Sequence, residues 1–82
     1  MKTDDLSRVS IDMIATGQRI KDARISAGIS VRELQHMLGF ETPVAIYYWQ
    51  AGKRLPSLDH LVILSSVLSV PIGDLLALIR PE

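Results

Sequence analysis

Apolar residues recur along this chain at helical spacing, in short stretches broken by glycine, serine and proline. Residues 1–11 are polar at first and weakly patterned. They read as a flexible amino-terminal arm that can settle against the core near Leu6, Val9 and Ile11. A first helix is predicted from Asp12 or Thr16 to Ala27, with Ile20, Ala23 and Arg24 on one side, Ala27 at the next turn and Gly28 as its stop. The second helix has a sharper start. Ser30 as cap and Glu33 three residues on give the reciprocal capping pattern, and Ile29 can staple back onto Leu34. Leu34, Met37 and Leu38 form its apolar face, and Gly39 supplies a left-handed exit.

A third helix is predicted to start at Thr42-Pro43, where the hydroxyl caps and proline fits the first helical position. Ile46 and Trp49 are three apart and should face inward, and Gly52 ends the helix before the loop Lys53-Arg54-Leu55-Pro56. Ser57 then caps a fourth helix to about Leu68. That helix is buried along Leu61, Leu64 and Leu68, with Val62, Ser65 and Val67 partly shielded. Pro71 opens a fifth to about Ile79, with Leu75, Leu76 and Ile79 turned inward. The expectation is an all-α fold without strands, a compact five-helix bundle occupying residues 12–80 as a single domain.

Composition agrees with one small packed unit: 82 residues, of which 48% are hydrophobic, and no cysteine. His36 and His60 stand without ligand spacing, so no metal site or other cofactor is expected. Apolar runs stop well short of the roughly 20 residues that a membrane span needs, which makes a cytoplasmic location the expectation. The formal charge is zero, but its distribution is uneven. From Gly17 to Arg54 six basic residues face three acidic ones, whereas the tail from Leu55 holds Asp59, Asp74 and Glu82 against Arg80 alone. A basic face and an acidic face on one domain are the expectation.

Two helices joined across Gly39 and followed by a basic loop form a unit that can lay its second helix against a DNA groove. At TGQRIKDARISAGIS, VRELQHMLGF, AIYYWQAGKRLPSLDHL and LSVPIGDLL the chain resembles the Cro/C1-type (XRE-like) helix-turn-helix family of bacterial and phage regulators. The resemblance spans roughly residues 16–78. It implies a lambda repressor-like domain of five helices that binds double-stranded DNA, often as a dimer, and represses or otherwise regulates transcription. Three departures stand out. Val31 occupies a position where many members carry a phosphate-binding glutamine. Gln50 replaces a glutamate that pairs with the arginine corresponding to Arg24, leaving an Arg–amide hydrogen bond. The turn GFETP is one residue longer than the commonest form.

Thr42, Pro43, Val44, Tyr47 and Tyr48 are the groove-facing candidates on the third helix. Thr42 can bond a phosphate or base, or simply cap; Val44 can touch a thymine methyl. The tyrosines can donate hydroxyls to DNA, or one of them can pack on the domain or at a dimer contact. No Arg, Lys, Asn or Gln lies between Gly39 and Trp49, so the strongest base readers are absent. Lys53 and Arg54 are the leading phosphate candidates, with Arg19 and Arg32 secondary, each against the alternative of ordinary solvated charge. The amino ends of the second and third helices add outward N–H groups. Arg24, Gln50, Ile46, Trp49 and Gly39 are assigned structural roles.

An enzyme is not expected. The sequence has no phosphate-cradling glycine loop, metal-ligand cluster or nucleophile–base pair, and Asp59 and Asp74 suit the first turns of helices. The rival is a protein-interaction module or an antitoxin-like regulator on the same fold, binding a protein partner through Val44 and the tyrosines. A homodimer would let two reading helices meet two half-sites, with Val67, Val70 and Ile72 as contact candidates.

Overall fold

The computed structural model describes residues 6–80. The first five residues of the expected arm, and Pro81 and Glu82, lie outside the described residues. A 3-10 turn (Leu6–Arg8) leads into strand β1 (Ser10–Ile11) and helix α1 (Met13–Ser26). Helices α2 (Val31–Leu38), α3 (Val44–Gln50), α4 (Leu58–Leu68) and α5 (Ile72–Leu75) follow, and strand β2 (Leu78–Ile79) closes the order. The bundle therefore has the five helices expected, plus a small antiparallel ribbon that was not. Ser10 stands opposite Ile79 and Ile11 opposite Leu78.

Local chemistry fixes the helix starts. The Asp12 carboxylate accepts from the Ala15 N–H at 3.0 Å, and the Ser57 hydroxyl accepts from the His60 N–H at 3.2 Å. At α2 the capping box is complete: Ser30 Oγ accepts from the Glu33 N–H at 3.0 Å and Glu33 Oε1 accepts from the Ser30 N–H at 2.9 Å. Hydrogen bonding from Ser30, first its backbone N–H and then its side chain, holds the Glu33 carboxyl below its ordinary range.

Ile20, Leu34, Ile46, Trp49, Leu64, Leu68 and Leu75 form the core. The seam between α1 and α3 is its tightest part. A Cβ on Gly17 would sit 2.1 Å from the Trp49 carbonyl oxygen and 2.9 Å from that of Gln50. Only a residue without a side chain lets the α1 backbone lie against the end of α3, and this approach sets how α3 projects.

The structure corrects the sequence reading in several places. Helix α3 begins at Val44, with Pro43 in the cap position and Thr42 Oγ1 accepting from the Val44 N–H at a long 3.4 Å. Met37 lies at the edge of the α2 apolar stripe and is 52% exposed; the ring that packs beside Trp49 is Phe40. Val62 is exposed rather than shielded. The fifth helix stops after four residues instead of running to Ile79. Ala77 is captured by the start of α1, its carbonyl accepting from the Asp12 N–H at 2.8 Å and its N–H donating to the buried Thr16 Oγ1 at 2.9 Å. That capture draws the chain into extended geometry, so Leu78 and Ile79 become exposed strand residues while Leu75 alone is fully buried.

Candidate nucleic-acid interface

Gly39 leaves α2 in the left-handed region (φ 72°), and its N–H and that of Phe40 close the helix onto His36 and Gln35. The reversal brings Phe40 edge-on to Trp49, ring centroids 5.8 Å apart, with His60 of α4 5.0 Å from Phe40. Ile46 and Trp49 thus anchor the inner side of α3. A second tie holds its end: Arg24 Nε donates to Gln50 Oε1 at 2.9 Å, and Arg24 Nη1 donates to the Ile29 carbonyl at 2.9 Å. One guanidinium therefore links α1, the turn before α2 and the end of α3.

With the inner side fixed, the outer side of α3 is determined. Val44 is 49% exposed and Tyr47 53%. Thr42 and Tyr48 are also exposed, and Pro43 is half-buried. Between α2 and α3 runs an open groove of about 330 Å³ lined by Val31, Arg32, Gln35, His36, Pro43 and Tyr47. Arg32, Pro43 and Tyr47 from the sequence-derived set therefore share one surface. Gln35 and His36 join it without having been singled out. Helical spacing was the available signal, because His36 lies four residues after Arg32 and shares its face. Gln35 Nε2 also donates to the Phe40 carbonyl at 3.3 Å, which steadies the turn.

Lys53 and Arg54 are placed by α3 itself. After Gly52 the chain folds back, and the N–H groups of both residues donate to the Tyr48 carbonyl, at 2.9 and 3.4 Å. Their cationic groups lie 6.0 and 5.3 Å from the Tyr48 ring centroid. Among the described residues neither cation is paired with a carboxylate. Arg19 is placed elsewhere: its Nη1 donates to the Leu76 carbonyl at 2.9 Å, which ties it to the junction of α5 and β2. It does not line the groove.

The surface offers apolar and aromatic contact from Val44 and Tyr47 and hydrogen-bonding groups from Arg32, Gln35 and His36, with two cations beside Tyr48. Such a surface suits a polyanion with flat apolar edges in its groove. Among the described residues no helix is long and apolar enough to cross a membrane.

Comparison with known proteins places this geometry. The Helix-turn-helix family profile matches residues 20–75. No curated protein matches the chain in sequence. Among solved structures, the chain is similar to the restriction-modification controller protein C.AhdI from Aeromonas hydrophila, at 25% identity and TM-score 0.69, covering 78% of this chain and 96% of that one. The DNA-binding domain of BldD from S. venezulae shares the fold at 20% identity and TM-score 0.67, covering 79% and 96% of the two chains. The chain also resembles part of iron(II) HppE in complex with substrate, at 26% identity and TM-score 0.71. There it covers 79% of this chain but only 37% of the other. From its matched length and its paired helices, the chain belongs to the Cro/C1-type helix-turn-helix family of DNA-binding transcriptional regulators.

Proposed function

We propose that this protein is a repressor-like regulator that binds double-stranded DNA with sequence preference, in the cytoplasm and associated with the nucleoid when bound. The observations that carry the reading are the α2–α3 groove lined by Arg32 and Tyr47 and, after α3, the cations Lys53 and Arg54, which meet no carboxylate among the described residues. Tyr47 and Val44 enter the major groove, Val44 reading a thymine methyl, while Thr42 and Pro43 lie at the groove edge. Lys53, Arg54 and Arg32 hold the backbone, with His36 beside Arg32. Arg19, tied to Leu76, is at most peripheral to that contact. Site preference is modest, because aliphatic and phenolic groups discriminate bases less than a bidentate amide or guanidinium does. A homodimer places two such helices on two half-sites. Similarity to C.AhdI, a controller protein, supports the regulatory reading.

Selection of bound duplexes from a random pool tests this proposal. The expected outcome is a short, two-fold-related motif rich in A·T steps; a pool that stays random after repeated rounds contradicts it. One observation favours a second reading. The fold also forms part of HppE, which is resolved with substrate and is much longer than this chain. With zero formal charge and exposed Val44 and Tyr47, the same surface suits a protein partner, as in an interaction module or an antitoxin-like regulator. Failure to bind any duplex at low salt selects that reading.

A further inference from the structure

We propose that Tyr48 is a positioning residue whose ring acts as a neutral platform for two phosphate-binding cations, rather than as a base or phosphate contact through its hydroxyl. This rests on the DNA-binding reading above, but its geometry is visible in the protein alone. Both Lys53 and Arg54 hang from Tyr48 twice: through backbone N–H donation to its carbonyl, and through cations at 6.0 and 5.3 Å from its ring centroid. Like charges on neighbouring residues repel, and flexible lysine and arginine chains lose entropy when ordered. An acidic side chain would order them, but it would neutralise their charge and repel phosphate. An aromatic face orders them through its quadrupole and leaves the full positive charge for a partner. The hydroxyl plays no part in that mechanism, so phenylalanine should serve as well.

Tyr48→Phe, Tyr48→Ala, Arg54→Ala and the double variant Tyr48→Ala/Arg54→Ala are compared in duplex titrations over a range of salt. Tyr48 is exposed, so the variants should fold; circular dichroism checks that they do. Tyr48→Ala is expected to weaken binding about three- to tenfold on all duplexes alike, with their relative order unchanged. Tyr48→Phe should match the wild type. The loss from Tyr48→Ala should shrink at least twofold when Arg54 is already alanine, because the two act together. Proton spectra of the free protein supply an arm independent of DNA: ring-current upfield shifts of the Arg54 and Lys53 methylenes, present in wild type and Tyr48→Phe and absent in Tyr48→Ala. The proposal is overturned if Tyr48→Phe loses as much affinity as Tyr48→Ala, if the losses are additive, if the order of duplexes changes, or if no upfield shift is found. A wild type that shows the shifts but binds no duplex overturns the DNA-binding reading and this role with it, while leaving the platform itself in place.

Discussion

The inner and outer sides of α3 belong to one seven-residue helix, yet they obey different rules. Inside, Ile46 and Trp49 are buried, Gly17 brings a backbone within a methyl's breadth, and the Arg24 guanidinium is bonded to both Gln50 and Ile29. Outside, Val44 and Tyr47 stand in solvent, and the cations after them lack carboxylates among the described residues. The inner residues are dictated by packing. The outer ones are not needed by the fold, which leaves them free for the contact proposed above.

The largest expected effect lies at the seam. Gly17→Ala forces a Cβ onto the backbone oxygens of Trp49 and Gln50, which cannot move without displacing α3, and should cost about 3 kcal/mol or more. An unchanged urea midpoint would show that the seam is loose and that α3 is positioned by something else. Next comes Thr16→Val. It keeps the shape but removes the oxygen that receives the buried Ala77 N–H, for a loss of about 1–3 kcal/mol; a neutral result in the same denaturation experiment would detach the ribbon from the stability of the bundle. Gln50→Glu has the opposite sign. It converts the bond from Arg24 into a charge-assisted one and should stabilise by about 1 kcal/mol, read as a higher thermal midpoint, whereas a lower midpoint would mean that desolvating the new carboxylate outweighs the pairing.

A smaller effect concerns the cap of α2. A carboxylate lowered on folding contributes stability above its ordinary value, 4.5 for Glu33, and that contribution is lost as pH falls through the lowered one. The stability gap between wild type and Glu33→Gln should therefore be present at neutral pH and close in acid. A gap independent of pH would mean that the charge of Glu33 adds nothing to the cap.

The parts of the fold that were legible in the sequence are those encoded locally. Ser30 with Glu33, Ser57, Gly39, and the pair Ile46 and Trp49 each need only a few neighbouring residues to state their role. The carboxyl-terminal end was not legible, because Leu75 to Ile79 has the periodicity of a helix. What overrides that periodicity is Thr16, whose partner Ala77 lies 61 residues away. The contact of Phe40 with Trp49 was not legible either, because it joins residues on either side of the turn. At the candidate interface, the exposure of Val44, Tyr47, Lys53 and Arg54 agrees with their residue type and position in the sequence. The attachment of both cations to Tyr48 was not legible there, because it depends on the chain reversal at Gly52.

On the proposed function, this surface grips the DNA backbone more firmly than it reads bases. Duplex titrations of Arg54→Ala and Val44→Ala, run side by side from low to moderate salt, test it most directly. Arg54→Ala should weaken every duplex alike and reduce the slope of log affinity against log salt by about 1. Val44→Ala should leave that slope intact and change the ratio between duplexes only a few-fold. A salt slope unchanged by Arg54→Ala, or a loss confined to particular sequences, would contradict the account.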